Sequence, residues 1–154
     1  MAAKTNKVFI SFALRDIKLR DQLLEQLNKE QTTFSFVDMP VKQSWEPAWK
    51  EECRTKVTGC DGVIALVTKN VVRADGQLWE IRCAFEGRMP VLLLHGDAEK
   101  LPSKLPDPVS DREIDAWTWP TISAFLNRLY EISRSDMSRQ ADPCIGLLQG
   151  LIDS

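Results

Sequence analysis

Two almost wholly apolar runs limit the fold of this chain more than anything else. Gly62-Val63-Ile64-Ala65-Leu66-Val67-Thr68 and Pro90-Val91-Leu92-Leu93-Leu94 read as strands buried on both faces. Strands of that kind belong to parallel sheets covered by helices on either side. Helical patterns lie between the candidate strands, so the chain reads as consecutive βαβ units.

The first strand is predicted over Lys7 to Phe12, dense in β-branched and aromatic residues, with Asp16 capping a helix to about Glu30. Leu19, Leu23 and Leu27 form its apolar stripe, widened by Leu24. Phe34-Ser35-Phe36-Val37 reads as the second strand, ending at Asp38. A loop with Pro40 and Gln43 leads to a helix that Ser44 is placed to cap, with Trp49, Cys53 and Val57 inward. The helix from about Gln77 to Gly87 buries Leu78, Ile81 and Phe85. A long loop holding three prolines spans Gly96 to Ser110, followed by a short last strand within Ile114 to Trp117. Pro120 opens a final helix with Ile122, Phe125, Leu126, Leu129 and Ile132 inward. Few topologies satisfy right-handed crossovers, and the expected one is a doubly wound, flavodoxin-like, five-stranded parallel sheet of order 2-1-3-4-5. Residues 1–133 form this domain, and residues 134–154 form a C-terminal extension in which Cys144-Ile145-Gly146-Leu147-Leu148 reads as a short docking helix.

Composition removes several classes of function. The 154 residues carry a net charge of -2, which gives no basic footprint for nucleic acid. No apolar run approaches the roughly 20 residues that span a bilayer. Met1-Ala2-Ala3-Lys4 leads directly into the first strand without room for a signal peptide, so a cytoplasmic location is expected. Cys53, Cys60, Cys83 and Cys144 make no C-x-x-C pair, and His95 has no cysteine near it; no metal site is expected, and the thiols read as reduced.

In the expected topology the crevice opens between the first and third strands, at their carboxyl ends. Ala13 to Asp16, Gly76 to Glu80 and Asp38 converge on that edge. Glu80 falls near a helix start, off the apolar stripe of its helix. It reads either as a functional carboxylate or as a residue that complements the helix dipole.

Family resemblance enters at these residues. Val8-Phe9-Ile10-Ser11-Phe12, then Asp16, a leucine-rich helix and Phe34-Ser35-Phe36-Val37-Asp38 resemble TIR domains. So do Cys60-Asp61-Gly62-Val63-Ile64, Trp79-Glu80-Ile81 with Ala84 three further on, and Arg88-Met89-Pro90-Val91. The Lys7-Val8-Phe9-Ile10-Ser11-Phe12 start and Trp49-Lys50 are similar to the bacterial TIR-like proteins of Thoeris anti-phage systems.

The resemblance implies NAD as a substrate rather than a bound cofactor. It makes Glu80 the catalytic carboxylate that breaks the nicotinamide–ribose bond. Cleavage passes through an oxocarbenium-like state that a carboxylate stabilises. Nicotinamide leaves from a cationic ring, so no general acid is required. The implied product is a cyclic ADP-ribose-type nucleotide that signals to a separate effector, with hydrolysis and conjugation as open alternatives. A phage-derived activator and self-association into a homo-oligomer are the other implied partners. Phe12, Ala13, Asp38, Trp45, Trp79 and His95 are the candidate substrate-binding positions. Asp38 also reads as a cap of its own loop, Trp79 as core, and His95 as structural. Many TIR enzymes have a tryptophan four residues before the glutamate; here that position is Gly76, so the site floor is expected to be built differently. Two other functions remain open: a non-catalytic module assembling through Met39 to Trp45, and a nucleoside-processing hydrolase or transferase of similar architecture.

Overall fold

A computed structural model describes residues 6–39, 42–96 and 101–141, with side chains to residue 132. The elements run β1 (Lys7–Ser11), α1 (Ile17–Lys29), β2 (Ser35–Val37), α2 (Pro47–Thr58), β3 (Gly62–Val67), α3 (Asp75–Glu86), β4 (Val91–His95) and α4 (Trp119–Ala141). Short 3-10 turns at Leu14–Asp16 and Lys69–Arg73 follow β1 and β3. All strand pairs are parallel, in the order β2-β1-β3-β4.

Alternation along the strands divides the core into two layers. Val8 and Ile10 of β1, Ile64 and Leu66 of β3, and Leu92 and Leu94 of β4 face α1 and α4. Phe9 and Val63 face α2, while Ala65 and Val67 face α3. All six residues of β3 are buried, as its apolar run requires. Burying each large side chain contributes roughly 1.5–3 kcal/mol, so this central strand anchors both layers.

Several expectations need correction. Among the described residues the sheet has four strands, not five: the predicted last strand is reduced to one parallel bridge between Leu94 and Asp115. Asp115 accepts from the His95 N–H and donates its own N–H to Leu93, each at 2.8 Å. Two residues on, Trp117 turns away and donates its indole N–H to Gln26 Oε1 at 2.9 Å, which ends the pairing. Asp16 sits at the start of α1 without capping it. Ser44 lies outside α2, whose first residue is Pro47. Ile132 is 46% exposed rather than inward, while Ile122, Phe125, Leu126 and Leu129 are buried. α4 continues through residue 133 to Ala141, and the apolar piece at 144–148 lies outside the described residues.

Cys53, Cys60 and Cys83 are free thiols, and Cys144 lies outside the described residues. Contact with Cys83, together with burial, pushes the Cys53 thiol up. Among the described residues, no helix is long and apolar enough to cross a membrane, and no group of three or more His, Cys, Asp or Glu is placed to hold a metal.

Candidate active site

The odd-numbered side chains of β1 face the α2 and α3 layer, and the last of them is Ser11. A hydroxyl buried there needs a partner. Its Oγ donates to Glu80 Oε1 at 2.8 Å, from β1 to the second turn of α3. Glu80 is therefore not on a solvent face: it is fully buried.

The second partner of Glu80 comes from the chain between β2 and α2. Lys42 Nζ donates to both carboxylate oxygens, at 2.9 and 2.8 Å. Only 5% of the Lys42 side chain is exposed and none of the Glu80 side chain, so this ion pair is out of water. Burial pushes the Glu80 carboxyl up to about 7; Lys42 and the Ser11 hydroxyl pull it down, and Asp38 adds a smaller upward push. A carboxyl held near 7 changes charge around neutral pH, as a catalytic group needs.

Gly76 explains how Lys42 reaches this position. A Cβ on Gly76 would come within 2.8 Å of Lys42 Cδ and 2.9 Å of its Cβ. The lysine stem lies flat on the glycine, in the place where the sequence departs from the TIR pattern. The same ammonium stands 4.5 Å from the centroid of the Phe12 ring, and the Arg20 guanidinium stands 5.3 Å from it. Arg20 in turn pairs with Asp38 and Asp21.

Beside this cluster lies a cavity of about 600 Å³, at the carboxyl ends of β1 and β3. That is the switch point of a doubly wound sheet, where ligands bind. Ala13, Lys42, Trp45, Asn70, Gly76 and Gln77 are among its lining residues. Glu80 is not; Lys42, which lines the cavity, covers it. On the far side of the crevice Asp16 is also buried. It accepts from Thr68 Oγ1 at 2.6 Å and from Asn70 Nδ2 at 2.7 Å, and so ties the β1 exit to the β3 exit.

The predicted site residues separate into two groups. Ala13 and Trp45 line the cavity, with Trp45 74% exposed. Phe12 lies under Lys42, next to Glu80. Like Phe12, the other three do not line the cavity. Asp38 is taken up by Arg20. Trp79 donates its indole N–H to the Lys50 carbonyl at 3.1 Å and lies under Lys50 and Arg54 on the α2 side. His95 ends β4, with its N–H on Asp115. Sequence reasoning missed Ser11, Lys42 and Gln77. Ser11 carried a signal, being a lone hydroxyl in an apolar strand; Lys42 carried none.

No family model matches the chain, and no curated protein matches it. Among solved structures, the chain is similar to the TIR domain of the Toll-related receptor TRR-2 from Hydra magnipapillata. The two share 12% identity with a TM-score of 0.49, over 82% of this chain and 97% of that one.

Proposed function

We propose that this chain is a TIR-type enzyme that cleaves NAD at the nicotinamide–ribose bond, with Glu80 as its catalytic carboxylate. The observation that carries the reading is the buried Glu80 carboxylate at the switch point, beside a cavity of about 600 Å³. The C–N bond breaks, its electron pair leaves with neutral nicotinamide, and the ribose carbon becomes an oxocarbenium-like centre. The Glu80 anion stabilises that positive charge in a site sheltered from water. A nucleophile of the same molecule then adds and loses its proton, which gives a cyclic ADP-ribose-type product. In this reading Phe12 and Ala13 bound the ribose side of the site and Trp45 stacks on a base. The product signals to a separate effector in anti-phage defence, as the resemblance to Thoeris-type proteins implies.

Lys42 has to leave before Glu80 can touch a ribose. Its loop residues 42–46 precede α2 and carry the exposed Trp45. Substrate, a second copy or an activator that engages this loop supplies the displacement.

The test is incubation of the protein and its Glu80→Gln variant with NAD, followed by chromatography and mass spectrometry. Nicotinamide release by the wild type alone is the expected result, and the product mass separates cyclisation from hydrolysis. No turnover at high protein concentration, with or without phage-infected lysate, overturns the reading.

A second reading has its own observation. Trp45, Leu14 and Val72 are exposed apolar side chains at the cavity, 74%, 48% and 45% accessible. Such a patch suits a module that works by homotypic assembly. Concentration-dependent self-association without any NAD turnover is what it predicts.

A further inference from the structure

Gln77 stands in the first turn of α3 and is completely buried. Its Nε2 donates to two main-chain carbonyls, Ser11 at 3.3 Å and Leu66 at 2.7 Å. Ser11 is the last residue of β1 and Leu66 the last but one of β3, so the two carbonyls lie at the carboxyl ends of the central strands, on either side of the switch point. Both amide hydrogens are thereby used, and the orientation of the side chain is fixed. A flipped amide would set its oxygen against two carbonyl oxygens.

The consequence lies at the other end of the amide. Among the described residues, Gln77 Oε1 is the one buried side-chain polar atom with no hydrogen-bond partner. Leaving such an acceptor unpaired carries a desolvation cost that no hydrogen bond offsets. Gln77 lines the 600 Å³ cavity, one helical turn before Glu80.

We propose that Gln77 is a specificity-determining residue, its Oε1 accepting a hydrogen bond from an uncharged N–H or O–H donor of the ligand bound in this cavity. The inference rests on the NAD reading for its ligand, where an amide N–H and the ribose hydroxyls are the available donors. The two carbonyl contacts fix the orientation of the acceptor before binding; because Oε1 is buried, what covers it has to move for a donor to reach it.

The experiment is carbon-detected NMR of the full chain, following the Gln77 side-chain carbonyl, which is assigned by its loss in Gln77→Met. The probes are NAD, its 3-acetylpyridine analogue, which lacks the amide N–H, and ADP-ribose, which lacks the nicotinamide. A downfield move with NAD alone supports the inference with the amide as donor. A move with all three supports it with a ribose hydroxyl as donor. Loss of the donor should weaken wild-type binding about tenfold and Gln77→Met binding less than twofold. A purely bracing glutamine would lower stability in Gln77→Met and leave that selectivity in place, which overturns the inference even if the variant folds poorly, because the wild-type spectra decide independently. If NAD perturbs signals around Glu80 but not the Gln77 carbonyl, the inference fails and the NAD reading stands. If NAD perturbs nothing, the NAD reading fails; ADP-ribose and nicotinamide mononucleotide then decide, and a carbonyl unmoved by both overturns the inference.

Discussion

Two buried carboxylates stand on opposite sides of the same crevice, and they are held in opposite ways. Asp16 is gripped by neutral donors, Thr68 and Asn70, both rooted at the end of β3. Glu80 is gripped by Ser11 from β1 and by an ammonium from the loop before α2. The first arrangement joins two parts of the fixed frame and has no part free to leave. The second closes a charge behind a residue carried on a loop. Burial alone therefore does not separate the two acids; the kind of partner and the element that carries it do.

The sharpest way to break this contrast is to neutralise each acid in turn. Glu80→Gln is expected to lower nicotinamide release by at least about 100-fold, the usual cost of removing one electrostatic stabiliser, while the fold persists. Stability also carries the signature of this group. The folded-state value of about 7 lies above the ordinary 4.5, so between those values the folded protein holds a proton that the unfolded chain has released. Raising the pH through that window therefore draws the equilibrium toward unfolding. The wild type should lose stability relative to Glu80→Gln as pH rises from about 4.5 to about 7, which melting curves at stepped pH will show.

Asp16→Ala is expected to do the reverse. It strands the Thr68 hydroxyl and the Asn70 amide and should cost roughly 1–3 kcal/mol in urea denaturation. Its NAD turnover should follow the folded fraction rather than collapse. If Asp16→Ala abolishes turnover in protein that remains folded, the two acids are not separable in role.

Lys42→Met refines the comparison. Without the ammonium, Glu80 keeps its burial and loses its main downward pull, so its ionisation moves above about 7. The acid limb of NAD cleavage should shift to higher pH by the same displacement. Above that limb, KM should fall roughly tenfold, equivalent to one charge-assisted hydrogen bond no longer broken on binding. An unshifted pH profile would mean that Lys42 does not govern Glu80 during turnover.

Much of this frame was legible in the sequence. The apolar run Gly62 to Thr68 could only be a strand covered on both faces, and the leucine spacing of α1 placed its inner side. The fifth strand was misread because Ile114 to Trp117 has strand-like residues, whereas Trp117 is drawn away by Gln26. The carboxyl edge of the sheet was legible as a location but not as a set of partners. A loop lysine such as Lys42 has no periodicity, and only the fold brings it over Gly76, 34 residues further on. Glu80 lay off the apolar stripe of its helix and so had no need to be core; a short strand hydroxyl, Ser11, and a cation meet it in a buried position instead. Gln77 reads in the sequence as a first-turn residue, and its setting depends on two carbonyls, 66 and 11 residues away, that only the fold brings to one amide.

Trp45 gives the smallest effect on the fold and the clearest choice between enzyme and module. It is 74% exposed, so Trp45→Ala should change stability by less than about 0.5 kcal/mol. If the ring stacks on a base of the substrate, removing it should weaken NAD binding about fivefold, the low end of a base–aromatic contact. That loss should be the same at every protein concentration. If the ring instead meets a second copy, sedimentation velocity will show weaker self-association, and turnover will fall only where the wild type is assembled. Because Trp45 and Lys42 share one short loop, assembly through Trp45 would also pull on the cover of Glu80. A concentration-dependent loss in Trp45→Ala that is restored by adding Lys42→Met would join the two readings: contact between copies would open the carboxylate.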